Sequence, residues 1–192
     1  IMDNLEVIGH KQVELVTSWM HERLKDVIVV ASNPNVVNSV KFTAKEREYK
    51  DTVKYLETLV TEYGYKGAFV SNNKGSIILA TSEDRVGNNI SEMDFFKHAI
   101  QGKTFSSGII PSKVPLINEF DEYETGLPTM FVASPLKDDD ESIIGIVVLR
   151  LHVAILSNLM QNYAYGKTGE SYLVNGQGYM LTESRFTKHL KK

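Results

Sequence analysis

The chain has 192 residues, enough for one domain of ordinary size and part of another. Acidic residues outnumber basic ones 24 to 21, for a net charge of -3, so no basic excess exists to neutralise phosphates and nucleic acid is excluded as a partner. Apolar residues make up 42% and charged residues 23%, which excludes disorder, and the absence of cysteine excludes disulfides, thiolate nucleophiles and iron–sulfur centres.

The first predicted element is long. Apolar residues at Leu5, Ile8, Leu15, Val16, Trp19, Met20, Leu24, Val27, Ile28 and Ala31 step mostly by three, four or seven, which predicts one amphipathic helix over 1–31. Ser32-Asn33-Pro34 ends it, because the residue before proline is pushed out of helical space. A short apolar segment, Val36 to Val40, follows. Thr43 with Glu46 forms a capping box that starts a second helix, and Gly64 sits where a left-handed C-terminal residue belongs.

The period then becomes extended. Residues 67–71 and 76–80 predict two strands around the turn Asn72-Asn73-Lys74-Gly75. Met93 to Gln101 reads as a short helix stopped by Gly102, and Thr104 to Ile110 as a strand. The polar stretch Pro111 to Pro128 is a long loop, a candidate lid. Thr129 to Leu136 and Ile143 to Leu151 are two further strands, and Val153 to Tyr163 is helical. Five short, mostly antiparallel strands backed on one face by a long helix define an α+β fold. After Gly166, the sequence Ser171–Asn175, Gly176-Gln177-Gly178, Tyr179–Thr182 echoes the first hairpin, so a second copy of the module begins there.

Ile143 to Leu149, the longest apolar run, is far short of the roughly 20 residues that cross a bilayer. The chain opens at Ile1 without a signal peptide and reads as a segment of a longer protein.

Catalytic chemistry has little footing. The five histidines form no metal-binding pair on one helix, and no nucleophile elbow, Walker loop or dinucleotide fingerprint occurs. Asp138 to Glu141 lacks the spacing of a calcium loop and reads as a solvated turn. The expectation is therefore no catalytic residue, no metal and no cofactor. A small-molecule cleft on the face away from the long helix fits better. Phe95-Phe96 and Met130-Phe131 would line it, with hydrogen bonds from Ser106, Ser107, Thr129 and Ser134. Strand alternation puts Ile146, Val148, Arg150 and His152 toward that cleft, and Val147, Leu149, Leu151 and Val153 toward the helix. An arginine at the end of a buried strand needs either a structural ion pair or an anionic ligand. The candidate ligand-binding set is Arg150, Phe95, Ser107, Tyr123, Thr129, Phe131 and His152.

These residues resemble the double Cache sensors. The resemblance rests on Trp19 in the first helix, Asn72–Gly75 between two strands, Gly87-Asn88-Asn89-Ile90-Ser91 before Asp94-Phe95-Phe96, Leu127–Pro135 and Ile144–Val148. Most specific are Gly166-Lys167-Thr168-Gly169-Glu170-Ser171-Tyr172-Leu173-Val174-Asn175 and Met180–Phe186. The resemblance implies tandem PAS-like modules outside the cell or in the periplasm, between transmembrane helices absent here. The outputs it implies are histidine kinases, diguanylate cyclases or chemotaxis transducers. It divides the chain into a signalling helix, 1–32, a membrane-distal ligand-binding module, 33–152, and the connecting helix and start of a membrane-proximal module, 153–192. Amino-acid-binding members carry an arginine where Met93 stands and an aspartate where Arg150 stands, so the resemblance implies a small carboxylate or other anion here. The competing reading is a cytosolic PAS-type module that dimerises through its first helix and binds nothing. The wide apolar stripe of that helix also allows a homodimer alongside sensing.

Overall fold

The computed structural model describes residues 2–41, 46–117, 122–151, 153–162, 169–182 and 184. The first helix, α1, runs from Met2 to Ala31, with the boundaries its periodicity predicts. The segment after it is not extended but a helical turn, α2 (Pro34–Asn38). Asn33 explains the difference, because its side-chain oxygen accepts from Asn35 N at 2.9 Å and Pro34 occupies the first helical position. The same Asn-Pro pair that stops one helix therefore starts the next. Helix α3 (Arg47–Tyr63) begins later than the capping box predicts, with Glu46 as its N-cap and no side-chain bond there. Thr43 lies outside the described residues. Gly64 closes α3 in the left-handed region at φ 71°, as expected.

Two compact units divide the chain. One contains residues 23–110 and 129–152 and is built on a five-stranded antiparallel sheet. Its strands are β1 (Gly67–Asn72), β2 (Ile77–Ala80), β3 (Phe105–Pro111), β6 (Pro128–Lys137) and β7 (Ile143–Leu151), ordered β2-β1-β7-β6-β3. Central β7 pairs antiparallel with β1, Val148 opposite Phe69, and with β6, Val148 opposite Ala133. Both its faces are buried, which is why it reads as a continuous apolar run. Ile146 and Val148 join a cluster with Phe95, Phe96 and Ala99 of α4 (Asp94–Ala99). Val147, Leu149 and Leu151 alternate to the other face. Val27 and Val30 of α1 and Leu56 of α3 are also fully buried in this unit. Each such Val or Leu contributes about 1.5–3 kcal/mol when removed from water.

A polar cluster ties α1 to the start of the sheet. The Tyr65 hydroxyl donates to Asp26 Oδ2 at 2.6 Å, and Arg23 Nη2 reaches the same oxygen at 3.1 Å. The Arg23 guanidinium also stands 5.7 Å from the Tyr65 ring centre. Burial, and then the bond to Asp26, hold the Tyr65 phenol above its usual value of 10.0. The folded protein thus keeps a proton that the unfolded chain releases above about pH 10. This stability is complete below pH 10 and is lost as pH rises through the folded-state value. Tyr65→Phe should cost about 1–2 kcal/mol at pH 8. Urea midpoints measured from pH 8 to 11 should fall less steeply in this variant. Part of the slope should remain, because Tyr49 is also raised, by burial and by Glu83. Parallel curves would exclude the cluster as an alkaline weak point.

The other unit contains residues 1–22, 111–128 and 153–192. The predicted loop 111–128 carries a small ribbon, with Leu116 and Ile117 (β4) pairing with Glu124 and Tyr123 (β5). Helix α5 (Ala154–Gln161) follows, and Tyr163 of the predicted helix lies outside the described residues. Gln12 of α1 is buried and its Nε2 donates to Met160 O at 3.2 Å.

The predicted echo of the first hairpin has a structural counterpart. Asn72 Oδ1 accepts from Lys74 N and Ser76 N, both at 3.0 Å, while Asn72 N donates to Ser76 O and Gly75 N to Asn72 O. Asn175 repeats all four bonds, with Gln177 N, Tyr179 N, Tyr179 O and Gly178 N. The turn glycines match as well, Gly75 at φ 83° and Gly178 at φ 85°. Their surroundings differ. A Cβ on Gly75 would lie 2.7 Å from Ser91 N, whereas around Gly178 nothing comes within 4 Å.

Candidate functional site

The sheet face carrying Phe69, Phe131 and Arg150 collects most of the predicted site. Cross-strand pairing places Phe131 of β6 and Gly67 of β1 on either side of Arg150. Phe131 and Arg150 therefore stand side by side, and Gly67 leaves the opposite flank without a side chain. The Phe131 ring packs 5.1 Å from Phe95 and 6.4 Å from Phe69, centre to centre. Phe95 is only 3% exposed and supports the other two from below, while Phe69 and Phe131 are half-buried.

Arg150 is half-buried, and its Nε donates to Thr129 Oγ1 at 3.2 Å. Thr129, itself 2% exposed, is the neutral partner of this guanidinium. Arg150 meets no carboxylate among the described residues. A guanidinium carries five N–H donors, so most of its capacity is left over. Burial depresses its pKa, and the nearby positive charge of Arg85 depresses it further. Arg85 closes the 3-10 turn Glu83–Arg85, and its Nε lies 3.6 Å from Asp84. The sequence reading did not single out Arg85. The available signal was a basic residue immediately before Val86-Gly87, which has no distinguishing pattern.

Ser107 has a different surrounding from a free ligand contact. Its Oγ accepts from Phe131 N at 3.0 Å and donates to Gly108 O at 2.7 Å, so it holds Phe131 in register. Tyr123 belongs to the other unit, on β5, and is 77% exposed. His152 lies outside the described residues. Ser134 is displaced from the predicted hydrogen-bonding set. Five residues beyond Thr129, it alternates to the opposite face and meets Thr104 Oγ1 at 3.1 Å. There it borders a cleft of about 670 Å³ with Ile28, Val37, Thr104, Lys137 and Asp138. The acids of the 138–141 turn serve the turn itself: Asp138 meets Lys41 at 3.1 Å, Lys137 meets Glu141, and Asp140 accepts from Ser142 N. Among the described residues, no helix is long and apolar enough to cross a membrane.

A five-stranded antiparallel sheet with a long N-terminal helix and an aromatic-lined face is the architecture expected of a PAS-like module. The Cache domain family model matches residues 1–191, and the chain belongs to that family. No curated protein matches it. Among solved structures, the sensor domain of the Vibrio cholerae histidine kinase DctB is similar at 12% identity and a TM-score of 0.66, over 83% of this chain and 59% of that one. The ligand-binding domain of the Pseudomonas aeruginosa amino acid chemoreceptor PctC, in complex with GABA, matches at 15% identity and a TM-score of 0.62, over 95% and 76%. The ligand-binding domain of the Campylobacter jejuni chemoreceptor Tlp3, in complex with 4-methylisoleucine, matches at 15% identity and a TM-score of 0.63, over 99% and 69%. The chain thus spans less than two thirds of the DctB domain's length. At these identities the likeness shows the fold.

Proposed function

We propose that this chain is the extracytoplasmic, non-catalytic sensing part of a transmembrane receptor, and that it binds a small carboxylate or other anion beside Arg150. One observation carries the reading: a half-buried guanidinium on an aromatic face, bonded among the described residues to a neutral hydroxyl and to no carboxylate, with the charge of Arg85 acting on it. A buried cation without a carboxylate is costly, and a bound anion repays that cost. PctC is described with GABA and Tlp3 with 4-methylisoleucine, amino acids that share a carboxylate, though not their ammonium, with the proposed ligand class. Arg150, Thr129 and Phe131 contact the ligand, while Phe95 and Ser107 hold the wall in place. His152 completes the proposed set. The module boundaries are 33–152 and 153–192, a division that the repeated asparagine turn at Asn72 and Asn175 supports.

Sensing here is a population shift. A hundredfold preference for one conformation supplies about 2.7 kcal/mol, enough to tip a receptor poised near balance. Displacement at Arg150 has a short route to α1. Lys66 N donates to Arg150 O at 2.8 Å, and the neighbouring Tyr65 grips Asp26 of α1.

Calorimetric titration of the purified chain with small carboxylates tests the site. Arg150→Ala should weaken binding tenfold or more, about 1.4 kcal/mol. Unchanged affinity in a folded variant would overturn the assignment. Silence of the wild type across carboxylates, amines and nucleobases would favour a module that binds nothing.

A further inference from the structure

We infer that the ligand is an aryl carboxylate without an ammonium group, its ring against Phe69 and Phe131 and its carboxylate shared between Arg150 and Arg85. This rests on the proposed anion site at Arg150 and assigns it a ligand body and a second anchor.

The ring contacts follow from strand register. Phe131 lies directly opposite Arg150, and Phe69 lies opposite Val148, two residues along the same face of β7. The two half-buried rings are 6.4 Å apart at 66°, an edge-to-face pair backed by buried Phe95. An incoming aromatic ring meets the same edges and faces that these rings already offer one another.

Arg85 follows from the end of the sheet. Thr81 N donates to Ala68 O at 2.9 Å, and Ala68 adjoins Gly67, the β1 partner of Arg150. One 3-10 turn beyond Thr81 comes Arg85, and the chain rejoins β2 at Gly87, whose N donates to Ile77 O at 2.8 Å. The positive charge of Arg85 lowers the Arg150 pKa, and Arg85 Nε lies 3.6 Å from Asp84, whose carboxylate also accepts from Ser82 Oγ. A ligand carboxylate between the two cations offsets that effect. Arg150 has no acidic neighbour to receive a ligand ammonium, which is therefore disfavoured beside it.

Titration of the purified chain with phenylacetate, cyclohexylacetate, acetate and phenylalanine tests this. Phenylacetate should bind about threefold tighter than cyclohexylacetate, the fold-change expected from an aromatic pair, and tenfold or more tighter than acetate. Phenylalanine should bind at least tenfold more weakly than phenylacetate. Arg85→Gln should weaken phenylacetate about tenfold, and Arg85→Lys should restore much of the loss, with circular dichroism confirming that both fold. Equal affinity for the aromatic and saturated acids, or for phenylalanine, overturns the ligand class. An unchanged affinity in folded Arg85→Gln overturns the second anchor. If carboxylates bind but Arg150→Ala has no effect, the underlying site fails instead of this refinement.

Discussion

Gly145→Ala should destabilise the protein by about 3 kcal/mol or more, one of the larger effects open to a single methyl group. Gly145 stands on central β7 between Asn72 of β1 and Leu136 of β6, and it is buried. A Cβ built there overlaps the Ser71 carbonyl oxygen. That oxygen belongs to a strand paired on both sides, with β2 and with β7, so it has no free direction in which to move. Gly176→Ala is the matched control, because its Cβ meets nothing within 4 Å and should cost less than about 0.5 kcal/mol. In urea, with a slope of about 2 kcal/mol per molar, the Gly145 midpoint should fall by more than about 1 M. Equal midpoints for the two variants would mean that β1 and β7 do not approach as described.

Leu149→Ala should cost about 3 kcal/mol, within the range for truncating a buried leucine in a core that relaxes incompletely. Leu149 is 0% exposed and pairs with Ala68 on β1 and Val132 on β6, both also buried. It faces away from the side that carries Phe131 and Arg150. Truncation should therefore lower the unfolding midpoint while leaving carboxylate affinity, measured well below that midpoint, within about twofold. A loss of affinity matching that of Arg150→Ala would show that the two faces of β7 are not separate in function.

The parts of the fold set by local chemistry were legible in the sequence. Helix α1, its stop before Pro34, the left-handed Gly64 and the Asn72–Gly75 turn all depend on interactions within a few residues. The alternation of β7 was legible for the same reason, since period two needs no partner. Where two local signals compete, sequence pattern alone is ambiguous. Asn33-Pro34 terminates α1 by its proline, and the same pair also caps and opens α2. The 111–128 stretch read as a loop because its paired segments are two residues each, too short to show a period. Ser134 has the hydroxyl chemistry of a ligand contact, but its position along β6 turns it to the opposite face, against Thr104.

By itself, the sequence determined an α+β domain of the Cache family, with Arg150 on the aromatic face of its central strand. Those features are carried by periodicity, by capping residues and by motif blocks, all contiguous in the chain. Only the tertiary structure decided that Thr129 holds Arg150, that Ser107 is spent on the Phe131 backbone, and that the charge of Arg85 lowers the Arg150 pKa. Each of these depends on which residues cross-strand register brings side by side. Register is settled by packing over the whole sheet, a sum that no single stretch of sequence contains.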